Sequence, residues 1–167
     1  MEKRGCPYKG VLYAGLMIDE KGMNVLEFNA RFGDPETEAV LPRIEGDIIP
    51  ALEACIDGTL TDDLISVRKE AAVTIVMASE GYPGSYPKGI RITGLDQAAE
   101  IEGCTVFHAG TKIEEGEIVT SGGRVLSVTA IGTDLIDAVD HAYQAVAKID
   151  FKGAHYRKDI AFRAFNR

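Results

Sequence analysis

Along this chain, apolar and polar residues first alternate, then recur at helical spacing, then alternate again. Residues Tyr8–Ile18, YKGVLYAGLMI, carry no charge after Lys9 and are rich in β-branched and aromatic side chains, which predicts a buried strand. Asp19-Glu20-Lys21-Gly22 reads as a turn and Met23–Ala30 as the return strand of a hairpin. Side chains on a strand point alternately to its two faces, so Glu27, Asn29 and Arg31 should share one face. Leu26, Phe28 and Ala30 should share the other, where they can be buried. Gly33 suits a positive-φ turn, Asp34 a helix N-cap and Pro35 a first helical position, while Glu36 and Glu38 suit the positive end of a helix dipole. The expected helix runs to about Leu41, limited by Pro42. A second helix is expected over Asp47–Ile56, with Ile48, Ile49, Leu52, Cys55 and Ile56 as its apolar stripe and Gly58 after its end.

The polar stretch Thr59–Ser66 marks a domain boundary, giving residues 1–65 and 66–167. Beyond it, Glu70–Ala78 reads as a strand and Ser79–Ile92 as a structured loop rich in Pro, Gly and Tyr. Ile90–Thr93 should resume a strand, and Leu95–Ile101 has no clear period. Strands are predicted over Thr105–Ala109, Ile118–Thr120 and Arg124–Ile131. A final helix capped by Thr133 runs through Lys148, burying Leu135, Ile136, Val139, Ala142, Tyr143 and Val146. The fold class is α+β: a hairpin with helices, then a small, mostly antiparallel β domain closed by a helix.

Composition narrows the function. A chain of 167 residues, 46% of them hydrophobic, can build a real core. Its formal net charge of −8 argues against nucleic-acid binding. No apolar run is long enough to span a bilayer, and MEKRGCPYKG lacks a signal-peptide core, so no membrane partner and a cytoplasmic location are expected. Residues 148–167 hold six basic side chains (Lys148, Lys152, Arg157, Lys158, Arg163, Arg167) against Asp150 and Asp159; such a tail could bind anions or nucleic acid, but a solvated terminus or one packed on an acidic neighbour is the more economical reading. Cys6, Cys55 and Cys104 form no C-x-x-C pair, and His108, His141 and His155 lack ligand spacing.

The polar row on the return strand has chemistry to offer. Magnesium takes oxygen ligands, often a carboxylate or two together with substrate phosphates, and Glu27 and Asn29 could supply two such oxygens side by side. Arg31 could grip a phosphate oxygen. On this spacing alone, a half-exposed strand with a polar face is the more economical reading. Ser121-Gly122-Gly123-Arg124 is similarly double: a backbone and arginine cradle for an anion, or a plain glycine turn. His108 could meet a substrate or merely hold its loop, and no carboxylate partner for a general base can be assigned. Lys88 could meet a phosphate, Tyr82 and Tyr86 could pack the loop, and Arg157 with Asp159 reads as a structural ion pair.

The string EFNARFGDPETE, residues 27–38, resembles the metal-site strand and following turn of glycinamide ribonucleotide synthetase (phosphoribosylamine–glycine ligase), an ATP-grasp enzyme. The Y-P-x-x-Y-x-K-G pattern from Tyr82 to Gly89, the His108–Thr111 string, TSGGRVLSVTA and Y-R-x-D-I resemble further strings of that family, in family order from Tyr8 to Ile160. The resemblance implies the C-terminal part of an ATP-grasp domain followed by the family's β-rich C-terminal domain. It implies a ligase that joins glycine to 5-phosphoribosylamine in purine synthesis, splitting ATP through a glycyl phosphate. Mg2+ or Mn2+ would be held by Glu27 and Asn29, Arg31 would steady the transferring phosphoryl group, and Asp34 and Glu36 would orient the glycine amine. Lys88, His108 and Arg124 would contact substrate, Arg124 at the ribose phosphate. The family's chains are longer, so this one is expected to be a C-terminal portion that does not ligate alone. The alternatives are a phosphate or sugar-phosphate binding piece, a piece that self-associates through an exposed apolar face of the hairpin, or another ATP-grasp carboxylate–amine ligase.

Overall fold

In a computed structural model, which describes residues Met1–Phe165, the chain forms two compact units. The first contains Met1–Thr37 and Ile44–Val67; the second contains Glu38–Arg43 and the chain from Arg68 onward. Arg167, the last cation of the basic run, lies outside the described residues.

The first unit is built on an antiparallel hairpin of β1 (Tyr13–Asp19) and β2 (Gly22–Asn29). Its register pairs Tyr13 with Asn29 and Gly15 with Glu27, then shifts, so that Leu26 alone on β2 has no partner across the ladder. The bulge breaks the simple alternation expected of this strand. The expected burial of this hairpin also does not occur within the chain. Leu16, Met17, Ile18, Val25, Leu26 and Phe28 are all exposed, because a ribbon of two strands has no second layer of its own to cover it.

The helix after the hairpin starts later than its residues suggest. Asp34 is not an N-cap, nor is Pro35 at a first helical position: the Asp34-Pro35 bond is cis, residues 34–36 form a turn, and α1 (Thr37–Val40) opens only at Thr37. The Thr37 N–H and hydroxyl both donate to the Gly33 carbonyl, which closes that turn. Gly33 does not take a positive φ; it is buried, and a Cβ there would meet the Glu36 side chain.

A 3-10 turn, Leu41–Arg43, absorbs Pro42 and leads into the short strand β3 (Ile44–Glu45). Helix α2 (Ile49–Asp57) follows, with Asp47 Oδ1 accepting from the Ile49 N–H and Gly58 closing it in a left-handed conformation. Lys9 donates its ammonium to the Ile56 carbonyl at that end, where the helix dipole favours a cation. Of the expected stripe, Ile49 and Ile56 are exposed and only Ala51 of this helix is buried. Strand β4 (Ser66–Val67) pairs with β3.

The second unit holds the core. Strands β5 (Ala71–Ala78), β6 (Cys104–His108) and β9 (Arg124–Gly132) form an antiparallel sheet in the order β5-β9-β6. Between them run α3 (Leu95–Ala99) and a separate hairpin, β7 (Thr111–Glu114) with β8 (Glu117–Thr120). Two of these elements are not apparent from sequence pattern. The stretch from Leu95 is helical to Ala99, and β7 is a strand with no apolar face of its own. Ile90–Thr93, expected as a strand, makes only isolated bridges at Arg91 and Thr93.

Helix α4 (Leu135–Val146) packs on the sheet. Its N-cap is Asp134, one residue after the expected Thr133: Asp134 Oδ1 accepts from the Asp137 N–H at 2.9 Å. Asp137 in turn accepts from the Thr133 N–H and hydroxyl. Ile136, expected inside, is exposed, while Ala138, Ala142 and Ala145 are completely buried. Small residues at that spacing let the helix lie close against Ile75, Met77, Leu126 and Val128, each of whose side chains contributes roughly 1.5–3 kcal/mol by leaving water. Among the described residues, no helix is long and apolar enough to cross a membrane.

Candidate functional site

Residues directly opposite in an antiparallel pair present their side chains on the same face. The hairpin register therefore puts Tyr13, Glu27 and Asn29 together on one side of β1 and β2. Gly15, opposite Glu27, leaves that side chain room: a Cβ there would come within 3.0 Å of Glu27 Cγ. Asn29 Nδ2 donates to Glu27 Oε1 at 3.0 Å.

Glu36 stands over Gly33 on the turn after β2. The Tyr13 phenol is held above its ordinary value of 10.0, first by the Glu36 carboxyl group, then by burial and by the Glu27 charge. Arg31 lies beyond the end of β2, where strand alternation no longer sets its direction, and its guanidinium donates to the Phe32 carbonyl at 2.8 Å. Asp34 sits exposed at the cis bond to Pro35 and is itself engaged in an interaction. Tyr13 was not singled out from the sequence. The signal that could have found it is the hairpin pairing counted back from the Asp19–Gly22 turn, and the bulge at Leu26 spoils that count.

The Glu27–Asn29 pair fits a hard divalent cation. Two side chains whose polar atoms already meet at 3.0 Å can face one ion, with the Asn29 amide turned to present Oδ1 beside the Glu27 carboxylate. Among the described residues, no group of three or more His, Cys, Asp and Glu side chains is placed to hold a metal. The remaining ligands would have to come from a phosphate or water, as is usual for magnesium.

In the second unit, the sequence candidates gather at a glycine corner. The Ser121 and Gly122 N–H groups both donate to the Gly110 carbonyl, so these two amides are not turned toward an anion as the sequence reading allowed. The physical reason is close backbone approach. A Cβ on Gly110 would lie 2.6 Å from Gly122 Cα, and one on Gly122 would lie 2.9 Å from Gly110 Cα. Gly123 is buried beneath Tyr82 and Tyr86, whose rings meet edge to face at 6.2 Å. Ser79 ties the Ser79–Ile92 loop to this turn, donating its N–H to Gly123 O and its hydroxyl to Gly122 O. Lys88 Nζ stands 5.8 Å from the Tyr86 ring centroid. His108 Nδ1 is 3.0 Å from Thr111 Oγ1, consistent with a histidine that holds its own loop. Arg124 opens β9 next to Gly123, half-buried and engaged in an interaction, with its carbonyl accepting from the Gly110 N–H. Arg157 and Asp159 form the expected ion pair, with two contacts at 2.9 and 2.8 Å.

The chain is similar to known proteins along nearly its whole length. A family model described as phosphoribosylglycinamide synthetase, C domain, matches residues 72–163, and one described as phosphoribosylglycinamide synthetase, ATP-grasp (A) domain, matches residues 1–37. The chain is 55% identical over 165 residues to the trifunctional purine biosynthetic protein adenosine-3 of Gallus gallus, covering 98% of this chain and 16% of that protein. It is 48% identical over 161 residues to the phosphoribosylamine–glycine ligase of Caldanaerobacter subterraneus, covering 96% of this chain and 38% of that one. Among solved structures, the phosphoribosylamine–glycine ligase of Thermotoga maritima superposes with a TM-score of 0.80 at 35% identity, over 95% of this chain and 38% of that chain. The chain thus spans about two fifths of the length of the ligases it matches.

Proposed function

Since the chain belongs to the phosphoribosylglycinamide synthetase family, we propose that it supplies the metal strand and the C-terminal domain of an ATP-dependent ligase that joins glycine to 5-phosphoribosylamine. Residues 1–65 are then the C-terminal part of the ATP-grasp domain and 66–167 the β-rich domain, in a cytoplasmic enzyme of purine synthesis. The observation that carries this reading is the Glu27–Asn29 contact at 3.0 Å on an open face of β2.

Mg2+ or Mn2+ held by Glu27 and Asn29 would neutralise phosphate charge on ATP. The chain's own side chains supply position and electrostatics. Arg31, released from the Phe32 carbonyl, is the donor for the transferring phosphoryl group, and a planar guanidinium suits that oxygen geometry. Glu36 and Asp34, on the turn after β2, are acceptors for the ammonium of glycine. Lys88, His108 and Arg124 are assigned to the ribonucleotide, Arg124 to its phosphate. The chemistry is one of alignment and charge neutralisation rather than of a nucleophilic side chain.

Calorimetric titration with magnesium–ATP, and separately with glycinamide ribonucleotide, tests the assignment. Binding of either, weakened by Glu27→Gln for the nucleotide or by Arg124→Ala for the ribonucleotide, supports it. Absence of both overturns it. No ligation is expected from this chain alone with ATP, glycine and 5-phosphoribosylamine, and turnover at an enzyme-like rate would refute that.

A second reading is favoured by one observation, the exposure of Leu16, Ile18, Met23, Leu26 and Phe28 on the hairpin. Apolar ribbons of this kind pair, so self-association through β1 and β2 is expected in solution. Sedimentation at rising concentration would show it.

A further inference from the structure

Arg124 follows two glycines, Gly122 and Gly123, the residue type whose backbone is least restricted. An arginine on such a hinge has a fixed origin only if the glycine carbonyls are held. Ser79, just past the end of β5, holds both. Its N–H donates to the Gly123 carbonyl at 2.8 Å and its hydroxyl to the Gly122 carbonyl at 2.9 Å. Ser79 is 3% exposed, so water has little access to take over either bond.

The Ser79 carbonyl is used as well. It accepts from the Tyr82 N–H at 3.1 Å, closing a turn that carries the Tyr82 ring over Gly123, where a Cβ would run into it. The far end of the same loop returns to the same corner: the Gly89 N–H, next to Lys88, donates to the Thr120 carbonyl at 2.7 Å. Arg124 is fixed on its other side, its own carbonyl accepting from the Gly110 N–H at 2.9 Å. The three carbonyls from Gly122 to Arg124 are thus all held, two of them by one buried serine.

We propose that Ser79 is a positioning residue for anion recognition: by holding the Gly122 and Gly123 carbonyls, it fixes the backbone from which Arg124 meets the phosphate of the ribonucleotide. This rests on the reading of Arg124 as the phosphate contact. A planar guanidinium binds a phosphate through two parallel N–H donors, so a small swing of its backbone costs one of them. Without the serine hydroxyl, the Gly122 carbonyl loses its donor and one bond in place of two restrains the glycines.

Ser79→Ala removes only the hydroxyl. The test is a titration of the full chain and of this variant with glycinamide ribonucleotide, followed by backbone amide and arginine Nε–Hε resonances, with amide dispersion reporting the fold. In the unchanged chain, the Arg124 Nε–Hε resonance should shift. In Ser79→Ala, affinity should fall at least about fivefold. The Arg124 shift at saturation, relative to the other perturbed resonances, should fall at least about twofold. A serine that only supports the fold would lower all perturbations together. An unchanged ratio in the variant therefore overturns the role of Ser79 and leaves the Arg124 contact standing. No shift at Arg124 in the unchanged chain overturns that contact and this inference with it. Should Ser79→Ala lose amide dispersion, Ser79→Cys, of nearly the same shape and a weaker donor, takes its place with the same directions expected. Loss of dispersion in both variants makes Ser79 a residue of fold and overturns the proposal.

Discussion

Asn29 donates its side-chain amide to the Glu27 carboxylate two positions back on the same strand, Nδ2 to Oε1 at 3.0 Å. The contact shows that these two side chains share a face, which is what a jointly held cation requires. Glu27→Gln removes the anionic oxygen and keeps the size. It should lower Mn2+ affinity at least about tenfold, since even partners outside the coordination sphere matter at that level. Titration calorimetry with MnCl2 reads this, and equal affinity in the variant would remove Glu27 from the site.

The Gly110–Gly122 approach is a matter of space. Gly110→Ala would put a Cβ 2.6 Å from Gly122 Cα and 2.5 Å from the Arg124 carbonyl, both backbone atoms that cannot swing away. The expected cost is about 1–3 kcal/mol, as for other overpacked interiors. Chemical denaturation of the variant checks it, and a cost near zero would mean the corner opens freely.

Asp134 caps α4 through the Asp137 N–H. Asp134→Ala should destabilise by about 1 kcal/mol, as is usual for N-caps. For a chain of this size, that lowers the thermal midpoint by about 2–4 °C. Thr133→Val should cost less, because its N–H, which remains, is one of its two donors to Asp137.

Two carboxylates make stability depend on acid. Donation by the Thr133 N–H and hydroxyl holds Asp137 below its usual 3.8. The Arg157 guanidinium does the same for Asp159. A carboxylate lowered by folding stabilises the native state above its unfolded value and loses that contribution as pH falls through the folded value. Melting temperature should therefore drop as pH is taken below 3.8. Asp137→Asn, which keeps an oxygen facing Thr133, should flatten that limb. Tyr13 has the opposite sign: its contribution is present below 10.0 and is lost as alkali takes the pH through the raised value.

Much of this protein is legible in its sequence, because local physics decides it. The Asp19–Gly22 turn, the strands over Ala71–Ala78 and Arg124–Gly132, and the close of α2 at Gly58 follow from period and turn chemistry within a few residues. The pairing of Glu27 with Asn29 also follows, since side chains two apart on a strand share a face whatever surrounds it. Tertiary structure decided the rest. Burial depends on what lies opposite, so Phe28 is exposed on an uncovered ribbon while Ala142 is completely buried beneath a sheet. The start of α1 depends on which carbonyl the Thr37 N–H finds, and the glycines at 110 and 122 depend on two backbones meeting across the fold. Tyr13 belongs to the same group: only the pairing of β1 with β2, bulge included, brings it to the face where Glu27 and Asn29 stand.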